Sequence, residues 1–173
     1  MPLKRKEYTP VEQKAPEIGE ALSVLINQRL TESQVILEGT WHFYFGRESV
    51  GSPGHDSSRL YLAVECGWRF TKGDAIIIGS EDFDVLERNA ERQMDTLRSL
   101  AGVEGLLIES VVGDVFGGFR IGFAGEYALD VFPASDSNME WLFRNSSSCS
   151  LCLMNGILHK SDKNMEESAE GEI

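Results

Sequence analysis

Between Asp82 and Phe132 the apolar period changes once, and that change constrains the fold more than any other feature of the chain. Phe83, Leu86, Ala90, Met94, Leu97 and Ala101 recur at steps of three and four, which places them on one stripe of an α-helix. Glu87, Arg88, Glu91, Arg92, Asp95 and Arg98 take the other face, Ser80 or Asp82 can cap the start, and Gly102 stands where a left-handed residue ends a helix. Beyond Gly102 the period falls to two. Leu106 to Val112 reads as a strand, Phe119, Ile121 and Phe123 alternate with Arg120 and Gly122, and Tyr127, Leu129 and Val131 alternate with Ala128, Asp130 and Phe132. Ala124-Gly125-Glu126 reads as the tight turn of a hairpin. A helix stripe buried on one face of such a meander closes a core, and the expected fold class is α+β.

The preceding residues repeat this plan. Pro16 suits a first helical position, and Ile18, Leu22, Leu25 and Leu30 predict a helix over 16–30. Strands are expected over 35–37, over 41–45 with Trp41, Phe43 and Phe45 on one face, over 60–65, and over 75–78 after a turn at Lys72-Gly73-Asp74. The Gly-, Ser- and Pro-bearing segment 47–58 reads as a loop. The architecture expected is two helices packed on antiparallel β-meanders of about seven or eight strands. Helix, aromatic strand, alternating strand and tryptophan recur in one order, so an internal duplication with halves 16–80 and 81–159 is one reading of the domain. Residues 1–15 read as a flexible arm and 160–173 as a disordered acidic tail.

Charge narrows the function. Sixteen Lys and Arg against 28 Asp and Glu give a net charge of −12, which argues against sequence-independent binding to nucleic acid or anionic membrane and suits a basic partner. The apolar runs are far too short to span a bilayer, and Lys4-Arg5-Lys6 has no apolar core behind it of the kind a secretory signal needs. With three cysteines, the expectation is reduced thiols in a cytoplasmic protein.

Several constellations could carry chemistry. Cys149 and Cys152, with His159 and Cys66, have the ligand types of a zinc site. Against zinc, strand alternation puts Cys149 and Cys152 on opposite faces, and small buried cysteines in a strand explain them as well. No cofactor is the first expectation and zinc the alternative. His42 beside Trp41 could read a ligand, or face solvent from its strand. Trp68-Arg69, matched by Trp141 and Arg144, suggests an arginine stacked on tryptophan that holds an anion or anchors a partner; the plainer reading is a core tryptophan beside a surface arginine paired with Glu65 or Asp74. Glu65 and Asp130 are outward carboxylates of similar strands, and the glycines of 113–118 precede a strand, unlike those of a phosphate loop. The chain therefore reads as a non-catalytic binding or regulatory protein that neutralises a basic partner, in the manner of toxin-immunity proteins. The alternatives are a zinc-dependent protein, or a ligand-binding module with a deep apolar pocket lined by Trp41 to Phe45. A homodimer through an exposed meander edge is left open.

Overall fold

The computed structural model describes residues 9–36, 39–46, 60–83, 95–100, 102, 105–134, 139–145 and 149–162. A short strand, β1 (Thr9–Val11), precedes helix α1 (Lys14–Leu22) and a 3₁₀ turn, Ser23–Leu25. The strands β2 (Arg29–Ile36), β3 (Thr40–Phe45), β4 (Leu60–Val64), β5 (Gly67–Lys72) and β6 (Ala75–Gly79) follow. After a 3₁₀ turn, Ser80–Phe83, and helical residues 95–100 come β7 (Leu106–Gly113), β8 (Phe119–Phe123) and β9 (Tyr127–Phe132). The last three are β10 (Met139–Arg144), β11 (Cys149–Met154) and β12 (Ile157–Asp162). Neighbours run in the order β1-β12-β11-β10-β4-β3-β2-β7-β8-β9-β5-β6.

This overturns the expected α+β class of two helices on seven or eight strands, because the described residues form mostly antiparallel sheet, in 12 strands. The physical reasons are local. The helix expected over 16–30 ends at Leu22 in a 3₁₀ turn, Ile26 is already extended at ψ 133°, and left-handed Asn27 at φ 69° leads into β2 at Arg29. Asn155 and Gly156, at φ 53° and 71°, form a two-residue turn that folds β12 back on β11. Thr9–Val11, inside the expected arm, pairs with β12, and β12 itself reaches Asp162 inside the expected tail. Of the helix expected over 82–101, residues 84–94 and 101 lie outside the described residues, as do the loop 47–58, residues 1–8 and the tail from 163.

One seam joins two sheets. β2 meets β7 only through Arg29 beside Leu107 and Leu30 beside Leu106. Gly105, just before the seam, has φ 79°, and a Cβ there would lie 2.6 Å from the Leu30 carbonyl oxygen. Arg29 Nη1 donates to the Gly105 carbonyl at 3.0 Å and pins the corner. Outward from the seam five strands on each side correspond, β2-β3-β4-β10-β11 and β7-β8-β9-β5-β6, and the first side continues into β12 and β1. Registers correspond too. Trp41, Val64 and Trp141 stand side by side in the first sheet, as Phe119, Val131 and Trp68 do in the second. One register step on, Phe43, Leu62 and Phe143 match Ile121, Leu129 and Phe70.

All twelve of these side chains are buried, and they form the core between the facing sheets. Each alternate residue of an antiparallel strand points inward, so the aromatic face of β3 meets Trp68 of β5, and Phe119 of β8 meets Trp141 of β10. α1 turns Ile18 and Leu22 into this core and lies on β7. Gly113 permits the close approach: a Cβ there would sit 2.6 Å from the Ala15 carbonyl oxygen.

Candidate functional site

The most prominent surface feature is the tip of the β7–β8 hairpin. Asp114 organises it, its Oδ1 accepting from the amides of Phe116 (2.8 Å) and Gly118 (2.9 Å). Its own amide donates to the Gly118 carbonyl at 2.9 Å. From the core side, Trp141 Nε1 donates to the Gly117 carbonyl at 2.8 Å. Gly117, at φ 95°, lies so close to Leu153 that a Cβ would meet its methyl groups at 2.8 Å. The loop is thus fixed by side-chain acceptors, a buried indole and a left-handed glycine. What it presents is apolar: Val115 and Phe116 are 70% and 77% exposed.

The outer faces of the two sheets are polar and aromatic. On the second sheet Asp130 accepts from Arg69 Nε at 3.0 Å and pairs with Arg120 at 3.5 Å. Both arginines are about half exposed, so each pair is screened and contributes at most about 1 kcal/mol. Arg69 lies over the Phe132 ring at 5.6 Å. On the first sheet His42 stacks against Tyr61 at 5.8 Å, His42 Nδ1 is 3.4 Å from the Tyr44 hydroxyl, and Arg144 lies over Tyr61 at 5.3 Å.

The chain crosses between sheets at Glu65 and Cys66, whose amides both point at the Glu140 carbonyl, at 2.8 and 3.1 Å. The Cys66 thiol hydrogen-bonds the Glu140 side chain. Burial, and next the Glu140 carboxylate, push that thiol up to about 12. Burial also raises Glu140, Glu65 adds to the rise, and the bond from Cys66 opposes it. A cavity of about 260 Å³ opens here between Trp41, Glu65, Cys66 and Glu81.

Trp68 and Trp41 lie in the core, where their rings meet edge-on. The arginine stacks exist, on Phe132 and Tyr61 in place of tryptophan, and the partner of Arg69 is Asp130, not Glu65 or Asp74. Trp41, Phe43 and Phe45 pack as core, and Trp41 borders the cavity. Cys152 and His159 are cross-strand neighbours on β11 and β12, with Cys152 buried and its thiol pushed up by that burial. Cys66 sits apart from them at the crossing, and the Cys149 side chain lies outside the described ones. Among the described residues, no group of three or more His, Cys, Asp or Glu is placed to hold a metal ion.

Sequence reasoning passed over Val115 and Phe116 because they interrupt a glycine-rich turn, although two apolar residues at a hairpin tip are the signal that finds them. Among the described residues, no helix is long and apolar enough to cross a membrane. Comparison with protein-family models, curated proteins and solved structures finds no match to the chain.

Proposed function

We propose that the protein is a non-catalytic binding or regulatory protein of the cytoplasm that engages a basic protein partner. The observation that carries this reading is the hairpin tip, where hydrogen bonds hold Val115 and Phe116 out into solvent. A loop ordered before it binds loses little conformational entropy on docking, and an exposed aromatic is the residue type that anchors interfaces. The net charge of −12 selects partners of the opposite sign and speeds their encounter. Of the three described groups moved from their ordinary titration, Glu140 and two thiols, the thiols of Cys66 and Cys152 are pushed up, and a protonated thiol is a poor nucleophile.

Native mass spectrometry of the protein isolated at low salt from the cells that make it tests this reading. The expected species is a complex with one basic chain, which dissociates as salt rises and is lost in Phe116→Ser. A wild-type preparation that is only the bare chain at every salt concentration refutes the reading.

A further inference from the structure

Among the described residues the strand order ends in β1 on one side and β6 on the other, and the two edges differ in kind. β1 is three residues long and contains Pro10, which has no amide to offer a ladder. β6 is five residues, Ala-Ile-Ile-Ile-Gly, with neither a charge nor a proline to blunt it. Its inner side is anchored, since Phe70 of β5 pairs with Ile78 and both are buried. On this strand Ala75 is exposed and Ile76 is 62% exposed. Asp74 and Glu81 flank the strand, and both are exposed.

We propose that β6 accepts an extended, basic segment of a partner protein as an additional antiparallel strand, a proposal that rests on the reading of this protein as a binder of basic partners. Main-chain bonds along Ala75–Ile78 supply the attachment, and β-branched side chains of the incoming strand lie beside Ile76. Lysine or arginine at the two ends of that strand meets Asp74 and Glu81. The same carboxylates disfavour a second copy of this chain. Antiparallel self-pairing centred on Ile77 brings Asp74 of one copy toward Ser80 and Glu81 of the other, and each copy carries −12.

The test is a titration of the full chain with a fluorescein-labelled peptide, Lys-Val-Thr-Val-Thr-Val-Lys, acetylated and amidated, followed by anisotropy. The expected result is saturable binding, about tenfold weaker when both lysines are replaced by glutamate and about tenfold weaker to Ile76→Lys. A peptide N-methylated at its central residues, unable to form the ladder, is expected not to bind. Absence of saturable binding, or equal binding of the N-methylated peptide, overturns the proposal. So does a wild-type dimer that Ile76→Lys converts to a monomer, since the edge then belongs to a second copy. Capture of a basic partner through Phe116 with no peptide binding overturns strand addition alone. Peptide binding in a chain that captures no partner supports the acceptor edge and refutes the proposed function.

Discussion

Trp141 and Trp68 occupy one register position in two different sheets, beside Val64 and Val131 respectively, and each meets a ring of the opposite sheet edge-on. Trp141 meets Phe119 at 5.1 Å and 86°, and Trp68 meets Trp41 at 4.8 Å and 63°. Edge-on pairs put the positive rim of one ring against the negative face of the other, worth about 1 kcal/mol beyond the area they bury.

Trp141 has a second duty, because its indole N–H holds the Gly117 carbonyl of the hairpin tip. Trp141→Phe keeps a ring against Phe119 but leaves that buried carbonyl without its donor. The expected loss is about 1–3 kcal/mol in urea unfolding. Faster amide exchange at Phe116 and Gly118 is expected alongside it, and a tip as protected as in wild type contradicts the assignment.

The seam between the sheets depends on Gly105. Alanine there must adopt φ 79° and place its Cβ 2.6 Å from the Leu30 carbonyl oxygen, which is backbone and cannot swing away. Gly105→Ala is expected to destabilise by about 2–4 kcal/mol. Gly73→Ala, with the same sign of φ but open space around it, is expected to fall well short of that. Equal losses at the two positions contradict steric crowding at the seam.

The Cys66 thiol makes stability depend on alkaline pH. Its folded-state value is raised from 9.0 to about 12, so between these limits the unfolded chain releases a proton that the folded chain retains. The contribution is intact below about 9 and is lost as pH rises toward about 12, with a slope of up to about 1.4 kcal/mol per pH unit. Cys66→Ala should flatten this part of the stability profile relative to wild type. Identical alkaline slopes in the two proteins refute the shift.

Asp130 separates two arginines. Asp130→Asn keeps the shape but leaves Arg69 and Arg120 as neighbouring like charges, with an expected loss of about 1 kcal/mol at low salt. Salt should reduce that loss. A penalty that does not vary with ionic strength places the effect in packing instead of charge.

The sequence was legible where alternation is strict. Phe119, Ile121 and Phe123, and Trp41, Phe43 and Phe45, were readable as inward faces, and all six are buried. The turn at Gly73 and Asp74 was equally plain, since β5 and β6 close around it. Helix α1 was overextended because Leu25 and Leu30 also suit a helical step, and a left-handed Asn27 leaves no trace in periodicity. β12 was missed although Asn155-Gly156 is a strong hairpin signal, because Ile157 to Asp162 carries few apolar residues. The candidate surfaces were less legible than the core. Arg69 and Asp130 were singled out, but their mutual contact depends on the pairing of β5 with β9, which no local pattern encodes.

Because β4 finds its outer neighbour in β10 and β9 finds its own in β5, the chain is laced through itself at two places. Val64 has no lateral partner on that side until Trp141 has been synthesised, and Thr9 none until Lys160 has. Loop closure over such separations precedes any reward in contacts, so folding is expected to be slow. Until then Leu62 and Val64 stand on an open strand edge, where exposed apolar residues favour aggregation.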